Sequence, residues 1–465
     1  MVRFSARQLV GAALVAWLLV GTLALLSGPP LGHDEAAYAV AARGDAPTWN
    51  YRSSGMIAIA RVGLALGGSE AALRAVILVV ATSLILGTFA LGRAAFDART
   101  GAWAALVLVG AHPMASRSAE LIGDLAASGL MLGGLAVLIG ELERAKPRWS
   151  LMLAAPLFVG AFYLRYGSAP VVAMVAVLAV ALYAKQLASM PMLATVVLAV
   201  ALLVPHVQHS IEATGSALGI LNVSAHMPRR AYVGEGLVTY LTSNPFRFYG
   251  ALVAPVMLAG LAGLVRRAPR WRPQVFIIVL ALAQIVSLGI QSHGQPRYVF
   301  FATALLVIAG VDAIRRYFAA HPIDRIGDVA LVLVGTAWLV LAALIVPFHH
   351  EVARRRAPLY AAAATVRDDA KGRPCAIAAN VVPQLIWATH CMTIVARVAP
   401  QLPHPWPPTE LHYIVSVPHA QLGAQAVSDV AATVPGTPHE LAVPDPHSQV
   451  WRVDPTATSS PRPGT

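Results

Sequence analysis

Two adjacent carboxylates, Asp34 and Glu35, stand just past the first long apolar segment, at the head of a short helix-like run from Ala36 to Arg43 that Gly44 closes. An acidic side chain at bilayer depth costs roughly 2.5–3.5 kcal/mol at a helix centre and less near the interface, so an acidic pair kept at a membrane border needs a reason. A carboxylate there can take a proton from a hydroxyl nucleophile, or orient it. Asp34 falls at or near a helix N-cap, where backbone N–H groups favour the ionised form; capping alone is the alternative. Glu35 reads equally as a second functional carboxylate or as a first-turn helix charge. Tyr38 lies four residues after Asp34, on the same helix face. His33 has no His or Cys partner at metal spacing and reads as a polar interfacial residue.

Further ionisable groups gather near the outer ends of the apolar segments: Arg52, Arg61, Arg117, Glu120, Asp124, Arg165, His206, His209, His293 and Arg297. Arginine should be depleted from short outer turns. Arg165 and Arg297 nevertheless occupy two such turns, each followed by a tyrosine, Tyr166 and Tyr298. Snorkelling to the headgroups explains any one of these side chains, Arg117 above all. Arg165 and Arg297 together, facing Asp34 and Asp124 in one leaflet, describe a site for a phosphate beside a group that needs a base. Guanidinium binds phosphate oxygens bidentately and stays charged. Tyr38, Arg52, Arg117 and His293 complete the candidate substrate contacts.

The elements that must position these groups are membrane helices. Hydrophobic residues make up 57% of the 465 and charged residues 12%, half the charge of a soluble globular chain. Spans of about 17–25 apolar residues are expected near 8–27, 71–92, 101–116, 120–141, 150–165, 168–185, 190–206, 247–266, 274–291, 298–314 and 328–347, about eleven in all. The first reads as a retained anchor. The net charge of +12 comes from cations between spans, as the positive-inside rule expects, and no basic run interleaved with aromatics points to nucleic acid. That bias sets the N-terminus inside and the region from His349 onward outside. Residues 28–70 and 207–246 form outer loops, the first with two interfacial helices.

After residue 347 the composition changes. Cys375 to Ala378, Met392 to Val395 and His412 to Val417 read as short strands, with a helix-like stretch at Gln384 to Ala388. A small α/β domain is expected over 348–434, followed by a Pro-rich tail, 435–465, whose composition favours disorder. Cys375 and Cys391, the chain's two cysteines, suggest one disulfide in an exported domain; two buried thiols are the alternative. No Walker motif, Ser-elbow, HxxxH or CxxC is present.

A first span followed by outer Asp34, Glu35 and Tyr38 resembles the GT-C superfamily of membrane glycosyltransferases, in its protein O-mannosyltransferase and aminoarabinose transferase branch. Pro113 through Asp124, the Leu164-Arg165-Tyr166 turn, Gln295-Pro296-Arg297-Tyr298 and the tail pattern Cys375, Pro383-Gln384, Trp387, Cys391 fit the same family. The resemblance covers most of the chain and implies a GT-C-like all-α bundle with a small extracytoplasmic α/β domain. It implies transfer of a sugar, with inversion, from a polyprenyl-phosphate donor to a glycan, lipid or protein acceptor. Asp34 would be the catalytic base with Glu35 beside it, Asp124 would match an acidic residue of the family, and Arg165 and Arg297 would hold the donor phosphate. The short loop at 207–246, the short tail and the lack of an inserted carbohydrate-recognition module depart from protein O-mannosyltransferases, so acceptor identity does not carry over. No cofactor is required; a divalent ion bridging carboxylate and phosphate stays open.

The main rival is a secondary transporter or flippase, since intramembrane acids and arginines also mark transport pathways. Against it, the polar residues gather at one face rather than the midplane, and no paired broken helices are visible. Composition rich in Ala, Val and Arg fits a bacterium of high genomic GC, hence a bacterial cytoplasmic membrane and cell-envelope acceptors.

Overall fold

The structure, a computed structural model, describes residues 4–45, 52–226, 231–262, 269–321, 326–396, 411–418, 420–434 and 436–454. The chain divides into two compact units. One comprises residues 1–27, 50–59 and 71–347; the other comprises 28–49, 60–70 and 348–465.

The first unit is helical. Ser5 opens the first helix, Ala6–Leu26, with a capping box: its hydroxyl accepts the Gln8 amide at 3.3 Å, and the Gln8 side chain accepts the Ser5 amide at 2.8 Å. Among the described residues, eight helices are long and apolar enough to cross a membrane. Three other expected spans are shorter apolar helices, Ala98–Val109, Trp149–Leu164 and Val253–Ala262. The first of these stops because Gly110 ends it and Pro113 starts a separate turn, His112–Ala115. The chain is a multi-pass membrane protein in which these shorter helices pack among the long ones.

Helices in lipid gain little from hydrophobic burial against one another and pack instead through small residues. Gly87 lies against the Gly129 backbone, Gly92 against Gly101, and Gly260 against Gly310. In each pair a methyl group would overlap backbone of the facing helix. These contacts set the helices Ser83–Ala95 and Asp124–Leu142 close together, and likewise Val253–Ala262 and Phe300–Ala320.

The second unit holds a five-stranded sheet: β1 Cys375–Ala379, β2 Met392–Val395, β3 Leu411–Ser416, β4 Pro438–Leu441 and β5 Gln449–Val453, in the order β2-β1-β3-β5-β4. β1 runs parallel to β2 and β3, while β5 runs antiparallel to β3 and β4. Every residue of β1 and β3 is buried, as expected for parallel strands covered on both faces. Leu359, Ala362, Ala363 and Val366, on the later turns of the 45-residue helix Ile326–Ala370, pack on one face. Leu422, Val430 and Val434 pack on the other.

The strands and short helix expected from the tail sequence are present, as is the Cys375–Cys391 disulfide. The expected disordered tail at 435–465 needs correction: β4 and β5 lie within it, so the sheet runs to Val453. Pro438 sits on the edge strand and Pro444 and Pro446 in the turn before β5, where a missing N–H costs no ladder bond. Residues 455–465 lie outside the described residues.

Closing a 16-residue separation should stabilise this unit by about 3 kcal/mol. Cys375→Ser with Cys391→Ser is therefore expected to lower the unit's unfolding temperature and speed proteolysis at 348–454, an effect that reductant reproduces in the wild type.

Candidate functional site

In the first unit the start of one helix and two turns build a polar pocket inside apolar surroundings. The helix is Asp124–Leu142, and the turns follow Leu164 and precede Phe300. Gly123 makes the first junction possible: a side-chain carbon there would overlap the Leu164 carbonyl oxygen. The helix Ala154–Leu164 ends as Arg165 turns extended, at φ −154°. A 3-10 turn, Tyr166–Ser168, follows, held by the Ser168 amide on the Arg165 carbonyl at 2.9 Å. Arg165 is thereby brought onto Asp124 as an ion pair. Asp124 is 7% exposed.

The other turn supplies Arg297 and Tyr298. Arg297 donates through Nε to Gln295 at 2.7 Å, and the Gln295 amide meets the His293 ring at 2.8 Å, so His293 reaches the site through Gln295. Tyr298 is buried, and its ring faces both cations: Arg165 Cζ lies 5.2 Å and Arg297 Cζ 5.4 Å from its centroid. Such cation–π contacts hold guanidinium groups in place without using their N–H donors. Gln284 donates to the Tyr298 carbonyl at 3.2 Å.

Asp124, Arg165, Arg297, Tyr298, Gln284 and Ser128 line one pocket, with Met131, Leu288 and Phe301 as apolar wall. Its free volume is about 20 Å³, near the space one water needs. The lining carries two guanidiniums against one carboxylate. In low-dielectric surroundings such a lining favours an anion.

Other expected residues lie elsewhere. Tyr166 does not line the pocket: its hydroxyl accepts the Ser54 amide at 3.2 Å and donates to Ser54 Oγ at 3.4 Å, and its ring packs on Phe162 and His206. Arg117 pairs with Glu120 at 2.9 Å. Arg52 is half-buried in the same unit.

Asp34, Glu35 and Tyr38 belong to the second unit, on the helix His33–Arg43. Asp34 is half-buried in the first turn, where the helix dipole favours negative charge. Glu35 is only 3% exposed. Its carboxylate accepts the Gly32 amide at 2.8 Å and lies 3.5 Å from Arg356. Arg356 also donates to the Pro30 carbonyl, and the Tyr360 hydroxyl donates to that of Leu31 at 2.9 Å. The segment leading into Asp34 is thus fixed residue by residue. Sequence reasoning missed Arg356, Tyr360, Gln284 and Gly123. Of these, Gly123, one residue before an acidic helix start, carried a usable signal. Among the described residues, no group of three or more His, Cys, Asp or Glu side chains could hold a metal ion.

No family model matches the sequence. No curated protein matches it either. Solved structures do match. The chain is similar to ArnT from Cupriavidus metallidurans, solved in the apo state and bound to undecaprenyl phosphate, with TM-score 0.68 and 16% identity over 96% of this chain and 97% of that one. It is similar to the oligosaccharyltransferase AglB from Archaeoglobus fulgidus, solved with an inhibitory peptide and a dolichol-phosphate, with TM-score 0.53 and 12% identity over 82% of this chain and 64% of that one. It is also similar to the mycobacterial arabinofuranosyltransferase AftD, with TM-score 0.53 and 13% identity over 97% of this chain and 40% of that one. All three are GT-C glycosyltransferases, and their fold is the one this chain adopts.

Removing one member of a buried ion pair strands the other charge. Arg165 keeps 25% of its side chain exposed, so Arg165→Ala should cost about 3 kcal/mol, the low end for such pairs. The double variant Arg165→Ala, Asp124→Ala should recover part of that loss in thermal unfolding of the detergent-solubilised protein.

Proposed function

We propose that this GT-C-fold chain is a membrane glycosyltransferase that moves a sugar from a polyprenyl-phosphate donor to an extracytoplasmic acceptor in a bacterial envelope. The N-terminus lies inside and the sheet-bearing unit outside. The observation that carries the reading is the Arg165–Tyr298–Arg297 stack with Asp124 against it. A fold shared with a protein solved with undecaprenyl phosphate supports it.

In this reading Arg165 and Arg297 bind the phosphate that links lipid to sugar, and Tyr298 keeps the two cations in register. The acceptor hydroxyl attacks the anomeric carbon from the face opposite the phosphate. The new glycosidic bond forms as the bond from anomeric carbon to phosphate oxygen breaks, which inverts the configuration. The electron pair leaves on the phosphate, where the two guanidiniums stabilise the growing charge. Asp34 takes the hydroxyl proton as general base and later releases it to water. Glu35, committed to the Gly32 amide and Arg356, orients the turn that carries Asp34 and stands beside it. Tyr38, Arg52, Arg117 and His293 remain candidate substrate contacts, His293 through Gln295, and Tyr166 supports the Arg165 turn from its place on Ser54. The leaving group already carries its phosphate, so no nucleotide site is called for.

The test is transfer of radiolabelled sugar from polyprenyl-phosphate donors in membranes. Asp34→Asn, which keeps the side chain's shape, is expected to lower the rate roughly 10²–10⁴-fold, the range of a lost general base. Unchanged transfer would remove Asp34 from that role. Uptake of a solute with no transfer at all would replace the enzyme by a transporter.

A further inference from the structure

The second unit contains a cleft that the reaction above does not use. It is lined by Arg43, Glu70, Tyr360, Arg367, Trp387 and His390. Its volume of about 480 Å³ lies within the range of small-molecule sites, about 300–1,000 Å³.

The electrostatics of this cleft differ from those of the pocket at Arg165. Each arginine has its own acid: Arg43 pairs with Asp45, and Arg367 lies 3.5 Å from Asp368. Arg43 also donates to the carbonyls of Ile386, at 2.9 Å, and Trp387, at 3.4 Å, so its N–H groups hold the end of the helix Pro383–Thr389. Glu70 accepts the Trp387 indole N–H at 3.1 Å. Two cations and three carboxylates leave no surplus of positive charge to attract a phosphate.

What remains are the rings of Trp387, Tyr360 and His390 beside apolar Leu64 and Ala388. Trp387 is half-buried, stacked under Arg43 at 4.8 Å and fixed through its N–H. His390 sits just beyond that helix with φ +61°, the left-handed region. Glycine is the usual residue there, because any Cβ is strained. A strained non-glycine residue at a cleft is a pointer to function. Burial and the neighbouring Arg43 push the His390 imidazole below its ordinary range. At neutral pH it is therefore uncharged, its Nε2 facing Arg43 Nη1 at 3.4 Å as acceptor and its Nδ1–H left to donate.

We propose that this cleft is a subsite for an uncharged, hydroxyl-rich ligand, namely a neutral saccharide stacked on Trp387 with its hydroxyls on His390, Tyr360 and Arg367. Assigning that saccharide to the acceptor rests on the glycosyltransferase reading; the binding itself does not.

The test is hydroxyl-radical footprinting of Trp387 in the full-length, detergent-solubilised protein, with maltose, cellobiose and mannobiose as probes and inorganic phosphate as control. At least one disaccharide should protect Trp387, and phosphate should not. Trp387→Leu, which keeps apolar bulk, and His390→Gly should each weaken disaccharide affinity by roughly tenfold, about one stacking or hydrogen-bond contribution. His390→Gly removes the strained Cβ, so its unfolding temperature should match or exceed that of the wild type. Loss of binding in a protein of undiminished stability cannot be charged to misfolding. The proposal is overturned if no disaccharide protects Trp387, if phosphate protects it equally, or if both variants bind as the wild type does. Transfer assays separate the two readings. Sugar transfer with no protection of Trp387 sinks the subsite and leaves the enzyme, whereas protection with no transfer does the reverse.

Discussion

Placing two guanidinium groups inside an apolar helical bundle is the constraint on which the first unit depends. A cation in low dielectric needs an anion and oriented dipoles, or it does not stay. Asp124 supplies the anion for Arg165, and the face of Tyr298 steadies both Arg165 and Arg297. That solution demands three segments distant in sequence at one point, which in turn demands close backbone approach. Gly123 against the Leu164 carbonyl, and Gly129 against Ser83 six residues further along, provide it. The packing of small residues and the charge of the pocket are thus one problem solved once. Carboxylate and phosphate are both oxyanions that match the guanidinium fork, so the Asp124 ion pair on Arg165 supports the proposed phosphate seat.

The second unit solves a separate problem, that of holding a half-buried carboxylate at a helix start. Arg356 and Tyr360 reach the carbonyls of Pro30 and Leu31, and Glu35 takes the Gly32 amide. Asp34 therefore projects from a turn whose neighbours on both sides have fixed partners. The Asp-Glu pair differs in burial: Glu35 is sequestered, whereas Asp34 is half-buried.

Much of this was legible in the sequence, for physical reasons. Apolar runs dominate the composition, so the long helices could be placed, and charge is so rare among them that Asp124, Arg165 and Arg297 stood out. Three of the five strands, β1 to β3, were readable as short apolar stretches. Proline content misled at 435–465, because β4 is an edge strand that tolerates Pro438, and Val450, Trp451 and Val453, β-branched and aromatic, are a strand signal that composition drowned. The repeated Arg-Tyr doublet also misled in part. Tyr298 lines the pocket beside Arg297. Tyr166, by contrast, begins a 3-10 turn after an extended Arg165 and points to Ser54. Arg356 and Tyr360 could not be foreseen, since long polar side chains on a helix read as solvated until their partners, more than three hundred residues away, are known.

The claim at the centre is that Arg165 and Arg297 form a seat for a lipid-borne phosphate. Native mass spectrometry of the purified full-length protein with undecaprenyl phosphate tests it most directly. Arg297→Ala should weaken binding at least about tenfold, the loss of one charge-assisted hydrogen-bonding group, and uncharged undecaprenol should not compete in the wild type. Equal binding of undecaprenyl phosphate by the wild type and Arg297→Ala, or full competition by undecaprenol, would contradict it.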